Sequence, residues 1–483
     1  MTGIRTRCLL LVSAALAAGA ASVPAAEPED PAAAAVPYDV MRRTAVVEVY
    51  QACKDSVVNI GASRPDPGKP KVRQTEYASG VVLHPAGYIL TNAHLLRQDG
   101  DIMVGFDGDG EFPARLVAAD EQRDLAVLKI DAGRPLKPIR LGRSQGLLVG
   151  ERVVTMGNPF GMGLTVAEGI VSAIGRNTRS EYTFYRDMIQ TDATTNPGSS
   201  GGPLLNVSGE MVGVNTTKKL GADNIAFAIP VDRVRETLPE VLAVEERFGF
   251  VLGLEVATLG PARVTRVAKG SPAAKAGIRV GDVVTRLGDE DIQADLDVHL
   301  SLVGVRGGEP LEMRVLRKGR FETFTVTPRA VPLRPAEVAA DLEPGLQRLT
   351  YRGEWKRLPA FEGLEPTRTE KVRGFDLGPA RGQDGVALVF RGYVDVPADG
   401  VYAFYLESDD GARLRIGDRV VVPEAPDGED GRRRGFIPLK AGKHPVAVEY
   451  LEIRGKERLE VSWHGPGQRR KPVPAVVLFR DAP

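Results

Sequence analysis

A chain of 483 residues has room for about three domains at roughly 150 residues each. Lys plus Arg and Asp plus Glu number 63 each, so no overall field draws the protein to nucleic acid or to an acidic membrane surface, and both are excluded as main partners.

The N-terminus carries Arg5 and Arg7, then an apolar, Ala-rich run from Leu9 to Ala21, then small residues ending at Ala25-Ala26 before Glu27-Pro28-Glu29-Asp30. That order is the one of a secretory signal peptide, expected over 1–26. The apolar run is shorter than the ~20 residues of a spanning helix. Cys8 precedes the run, where a lipoprotein cysteine would follow it. Cleavage would leave Cys53 as the only thiol, so no internal disulfide can form and stability must come from packed cores. No later segment has spanning length. The mature chain is therefore expected outside the membrane, in the periplasm or cell envelope or secreted.

After a Pro/Ala stretch at 27–37, residues 38–242 hold short β-branched runs separated by Gly, Asn and Asp. Ser56–Ile60, Ser79–Leu83, Leu125–Ile130 and Arg152–Met156 are examples. About two hundred residues of such strands predict a pair of small barrels, closed by a helix over Val231–Val244. A second unit, 247–328, has strands at Ala262–Val267, Asp282–Leu287 and Leu311–Leu316, with a helix at Ala294–Val303. The proline-rich stretch 329–344 reads as a semi-rigid linker. The third unit, 345–483, alternates apolar and polar residues at Gly400–Leu406 and His444–Tyr450, the pattern of a β-sandwich. The fold class is mainly β.

The segment Asn196-Pro-Gly-Ser-Ser200-Gly-Gly-Pro203 is the most informative. Flanking glycines leave Ser200 room for a tight turn and for an approaching substrate backbone. The Gly-x-Ser-x-Gly pattern also fits the nucleophile elbow of α/β hydrolases, but that elbow must lead into a helix, and Gly201-Gly202-Pro203 opens none. Tyr88-Ile-Leu-Thr-Asn-Ala-His94 sets a histidine after a strand, and Arg123-Asp124-Leu-Ala-Val-Leu sets an aspartate before one. The order His, Asp, Ser is that of chymotrypsin-like enzymes. With five histidines in the chain, chance supply of this set is poor.

Residues 38–330 resemble the HtrA family of trypsin-like serine proteases, through Thr91-Asn-Ala-His94, Asp124-Leu-Ala-Val-Leu-Lys129, Gly157-Asn-Pro-Phe-Gly161, Asn196–Pro203 and Ala226-Phe-Ala-Ile-Pro230. The resemblance implies a chymotrypsin-like double β-barrel over 38–244, ATP-independent cleavage of unfolded or damaged proteins, and a homo-oligomer, often a trimer. In that mechanism His94 is the general base, Asp124 orients it, Ser200 attacks, and the N–H groups of Gly198 and Ser200 hold the oxyanion. Thr194, six residues before Ser200, would form the base of the primary pocket with Ala226 and Phe227. With no carboxylate there, small or aliphatic residues are expected before the cut. No catalytic cofactor is implied. The chain departs from the family at Ser199, commonly Asn, and at Ser56, commonly Pro.

Residues 247–328 resemble a PDZ domain, through Val251-Leu252-Gly253-Leu254 and Gly270–Val283. The resemblance implies capture of peptide C-termini by that loop, with Arg247 as an aid. Residues 345–483 resemble the carbohydrate-associated sandwich first described in anthrax protective antigen, through Tyr351–Trp355, Gly392–Val396, Ser408–Gly411, Ala441–His444 and Trp463–Gly467. In lectin-like members an aspartate pair holds calcium that binds sugar. Asp409-Asp410 fits that pair, but it supplies only two of the ligands calcium needs, and Asp410-Gly411 between two strands reads first as an ordinary hairpin turn. A binding protein with a silent protease domain is the competing reading.

Overall fold

The computed structural model describes residues 42–66, 69–96, 101–179, 184–218, 224–339, 341–378, 381–425, 431–455, 457–468 and 470–482. The expected signal segment and the stretch up to Pro37 lie outside them. The short helix α1 (Ala45–Cys53) leads in, with the Cys53 thiol buried against the Gly209 carbonyl.

The β-branched runs then close into two barrels. The first holds β1 (Val57–Asp66), β2 (Lys69–His84), β3 (Tyr88–Thr91), β4 (Asp101–Gly105), β5 (Glu111–Asp120) and β6 (Leu125–Ile130). The second holds β7 (Arg152–Gly157), β8 (Thr165–Arg179), β9 (Phe184–Thr191), β10 (Pro203–Asn206), β11 (Met211–Lys218) and β12 (Ala226–Pro230). Strand order repeats between them: β1-β2-β3-β6-β5-β4, then β7-β8-β9-β12-β11-β10, each closed by its first and fourth strands. Period-two alternation divides each strand. Val58, Ile60, Val82, Ile89 and Leu128 fill the first barrel, and Val153, Val171, Ile189, Leu204 and Val212 the second. The opposite faces, among them Val81, Leu90 and Val127 from one barrel and Met156, Met188 and Val214 from the other, share a single core.

That core continues through α2 (Val231–Leu242) into the PDZ-like unit. The expected closing helix over 231–244 breaks at Ala243, whose φ of +43° ends α2, and a separate helix α3 (Val244–Phe248) follows. The PDZ-like unit adds α4 (Pro272–Ala276), α5 (Asp295–Ser301) and a four-stranded sheet. Arg235 of α2 and Asp295 of α5 form a buried pair at 2.6 Å, and Asp295 also accepts from the Leu259 N–H. One partner alone would be a buried uncompensated charge, so the pair fixes where the two helices meet.

The C-terminal unit packs an eight-stranded against a four-stranded sheet. Trp463 stacks between Tyr402 and Phe404 at 5.5 and 5.9 Å in its core; burial of each such ring is worth about 2–3 kcal/mol. The proline-rich stretch is no free spacer. The Arg334 N–H donates to Pro438 O, the Lys440 N–H to Arg334 O and the Glu337 N–H to Lys443 O, at 2.8–3.0 Å, so it runs as an added edge along this unit.

Three arginines join the sandwich to the rest. Arg434 donates to Ala119 O (2.9 Å), Glu240 O (2.8 Å) and Val241 O (2.6 Å), and Arg470 meets Glu121 at 3.2 Å. Arg247 donates to Leu242 O and Val241 O and lies over the Phe436 ring at 5.0 Å. Replacing Arg434 by Ala leaves part-buried carbonyls unpaired and should weaken docking by about 2 kcal/mol. In calorimetry the Arg434→Ala protein is expected to unfold its C-terminal unit as a separate, earlier transition; a single transition unchanged in midpoint would contradict this.

Candidate active site

His94 follows β3, and Asp124 immediately precedes β6, which pairs with β3. This adjacency sets the two side chains together. Asp124 is fully buried and holds the unusual φ of +55°. Its Oδ1 accepts from the His94 backbone N–H at 3.0 Å and from Nδ1–H at 2.8 Å. Its Oδ2 accepts from the Tyr185 hydroxyl at 2.8 Å and the Thr216 hydroxyl at 2.6 Å. Asn92 Nδ2 donates to the Asp124 carbonyl. With its proton on Nδ1 spoken for, the imidazole keeps Nε2 as its acceptor.

Ser200 lies in the turn after Asn196, and its hydroxyl donates to the Thr216 carbonyl at 2.6 Å. The turn is gripped by the first barrel. The Ser79 N–H donates to Ser200 O (2.9 Å) and the Ser79 hydroxyl to Gly198 O (2.7 Å), while that hydroxyl accepts from the Asn158 N–H. The Phe160 N–H donates to Pro197 O at 2.9 Å. A trans peptide points its N–H away from its C=O, so this bond turns the Gly198 N–H to the opposite side. Neither the Gly198 nor the Ser200 N–H donates to another group among the described residues. The geometry demands glycine at 198: φ is +102°, and a Cβ would stand 2.3 Å from the Asn158 carbonyl oxygen. Ser199, the departure noted in the sequence, is buried, and its hydroxyl accepts from the Asn196 N–H at 3.4 Å.

Ala226 pairs with Thr191, so the strand that carries it runs beside the segment that leads, three residues on, to Thr194. Asp192 is the nearby carboxylate, and it is engaged by the Ile170 N–H at 2.7 Å. Phe227 is different: its ring belongs to the core between the barrels, beside Met188 and Val214. Sequence reasoning missed Ser79, Tyr185 and Thr216, which come from distant strands and carry no local motif.

In the PDZ-like unit, Val251 pairs with Arg329, and Leu252 and Gly253 form the loop into the strand that starts at Leu254. Arg247 does not serve that loop. Its guanidinium is turned to the α2 carbonyls and Phe436, where burial and neighbouring Arg434 bring its pKa down to about 10. A charged group with its donors committed there cannot reach a peptide carboxylate.

Asp409 Oδ1 accepts from the N–H groups of Asp410 and Arg458 and from the Tyr450 hydroxyl, and Asp410 Oδ2 from those of Ile453 and Arg454. Among the described residues no group of three or more His, Cys, Asp or Glu is arranged to hold a metal. Calcium needs six to eight oxygens; here one oxygen of each carboxylate is engaged by N–H donors, and Asp409 Oδ2 is buried without a hydrogen-bond partner among the described residues. The residues fit a brace for the backbone at Ile453, Arg454 and Arg458 better than a calcium cage.

Behind the pair, fully buried Glu452 has its pKa pushed up to about 7 by burial, with Asp409, Asp410 and Glu457 adding to it against the Tyr450 hydrogen bond. A carboxyl raised in the folded state stabilises it fully below the unfolded pKa, near 4.5, and that stability is lost as pH rises through 7. The C-terminal transition should therefore fall in temperature from pH 5 to pH 8 in wild type and be flatter in Glu452→Gln. Calcium or chelator should not move it.

Two six-stranded barrels with His, Asp and Ser gathered from both define the chymotrypsin-like peptidase architecture. A trypsin-like peptidase domain matches residues 78–214, a PDZ domain 250–327 and a PA14 domain 367–476. The chain carries these three domains, and the expected resemblance to HtrA-type proteases is borne out by its relatives. A probable periplasmic serine endoprotease, DegP-like, of Pseudomonas savastanoi pv. phaseolicola is 35% identical over 310 residues, 60% of this chain and 64% of that protein. A probable periplasmic serine protease, do/HhoA-like, of Haemophilus influenzae is 34% identical over 270 residues, 52% and 58% of the two chains. The chain thus spans under two thirds of the length of these curated relatives. The solved structure of the HtrA-type protease AlgW with a decapeptide is 30% identical, covering 59% of this chain and 98% of that one with a TM-score of 0.37.

Proposed function

We propose that the protein is an exported, ATP-independent serine endopeptidase that cleaves unfolded or damaged proteins. The observation that carries this is the Asp124 network, which fixes His94 with Nε2 available while the Gly198 and Ser200 N–H groups have no partner among the described residues. In the proposed reaction Ser200 Oγ leaves the Thr216 carbonyl, gives its proton to His94 Nε2 and bonds to the substrate carbonyl carbon. The N–H groups of Gly198 and Ser200 hold the oxyanion; losing one such donor typically costs about a hundred- to a thousand-fold. His94 then passes the proton to the leaving amine as the C–N bond breaks, and water releases the acyl group by the same steps in reverse.

The setting is proposed from the signal-like N-terminus and from relatives named periplasmic. Among the described residues no helix is long and apolar enough to cross a membrane. Substrate tails or activating peptides are the proposed ligands of the PDZ unit. The C-terminal sandwich is proposed to locate the enzyme, and its glycan reading rests on resemblance alone, without calcium at Asp409 and Asp410. A homo-oligomer, a trimer by resemblance, is supported by exposed Phe160 and Met162 beside the Tyr77 ring, an apolar patch a second copy would cover. Light scattering of Phe160→Asp should show smaller particles than wild type, and equal masses would remove this support.

The Ser200–Thr216 hydrogen bond favours a second reading, in which the resting protein is silent and acts as a binding protein. Digestion of an unfolded protein separates the two. Ser200→Ala should lose activity on the order of ten-thousandfold or more, and mass spectrometry of the wild-type digest should place small or aliphatic residues before the cuts. Equal, negligible digestion by both proteins would favour the silent reading, and cuts after Lys or Arg would refute the pocket assignment.

A further inference from the structure

The loop expected to receive a peptide carboxylate already holds one from its own chain. Glu245 in α3 accepts through Oε1 from the N–H groups of Leu252 at 3.2 Å and Gly253 at 3.1 Å. The loop is set for an anion. Leu252 O is tied to the Ala273 N–H at 3.1 Å, and Gly253 O to the Ala268 N–H at 2.9 Å and the Ser271 hydroxyl at 3.3 Å. With the Leu252 carbonyl fixed on α4, the trans peptide turns the Gly253 N–H the other way, toward α3. Gly253 adopts φ +76°, and a Cβ there would stand 2.4 Å from Ser271 Cβ. Next to the loop, Leu254–Val256 pairs with Val264–Val267 on one side alone among the described residues, which leaves the edge an incoming peptide strand would take.

We propose that Glu245 is a competitor built into the chain: its carboxylate occupies the PDZ carboxylate loop and sets how strongly a peptide C-terminus must bind to enter. The proposal rests on the reading of 250–327 as a peptide-binding PDZ domain. Two carboxylates cannot share one pair of donors, because like charges at that distance oppose each other. Glu245 is part exposed, so displacement returns it to water at little cost. A peptide's affinity is then reduced by the fraction of time the loop stands open.

The test uses the full chain with Ser200→Ala, to prevent cleavage, and a dye-labelled random peptide pool ending in a free valine carboxylate, beside the same pool amidated. If Glu245 closes the loop nine-tenths of the time, Glu245→Ala should bind the carboxylate pool about tenfold tighter by fluorescence anisotropy, with the amidated pool unaffected. Deuterium exchange at the Leu252 and Gly253 amides should also quicken in the peptide-free variant. Glu245→Gln, which keeps the side chain's bulk, should fall between, and guards against a variant that misfolds. Wild-type binding with no gain in either variant would overturn the competitor role and leave the PDZ reading standing. Binding of neither pool by any of the proteins would overturn the PDZ reading, and this inference with it.

Discussion

The last turn of α2 is where the molecule is tied together. A helix ends with carbonyls that have no partner within it and with a partial negative charge. Here two arginines supply the donors: Arg434 of the sandwich reaches Glu240 O and Val241 O, and Arg247 of α3 reaches Val241 O and Leu242 O. Both guanidinium groups lie on the one Phe436 ring, at 5.6 and 5.0 Å, which offsets their mutual repulsion through the ring's negative face. Because α2 closes the second barrel's sequence and carries Arg235 to Asp295 farther up its length, this one helix sets both the sandwich, at its end, and the PDZ unit, along its side, against the peptidase unit.

A similar economy governs the site. His94 and Asp124 come from the first barrel, Ser200, Tyr185 and Thr216 from the second, so the constellation exists only when the two faces sharing a core are in register. Ser79 enforces that register at the turn itself, because its backbone and hydroxyl grip Ser200 and Gly198 from across the cleft. Thr216 has two roles that pull differently. Its hydroxyl donates to the Asp124 carboxylate, and its carbonyl accepts the Ser200 hydroxyl proton, which the proposed reaction must transfer to His94.

Local pattern made the barrels and the three candidate site residues legible. Alternation in Leu125–Ile130 predicts the strand that forms, and His94, Asp124 and Ser200 sit in motifs whose order is informative without distance. Partners separated by long stretches were not legible. Tyr185 and Thr216 lie 61 and 92 residues from Asp124, and no local rule connects them. Arg247 was misread for a related reason: closeness in sequence to the carboxylate loop suggested service there, but the helix between Ala243 and Gly249 turns its side chain the other way. The linker was misread because prolines forbid helix without forbidding an added edge strand, and Arg334 takes that option along Leu439.

The five residues of α3 lie between two left-handed positions, Ala243 at φ +43° and Gly249 at φ +67°. They send Glu245 to the Leu252 and Gly253 N–H groups and Arg247 into the Phe436 contact. The two anchors differ in kind. Arg247 is held by carbonyls and a ring inside a domain junction, whereas Glu245 is a part-exposed carboxylate on two N–H groups, replaceable by any other carboxylate. The helix therefore has one fixed end and one exchangeable end, and the exchangeable one faces the site where a peptide would arrive. Since the fixed end rests on the α2 carbonyls, release of Glu245 need not loosen the sandwich or disturb the peptidase unit: a side-chain rotation suffices, and the backbone of α3 can stay where Arg247 holds it.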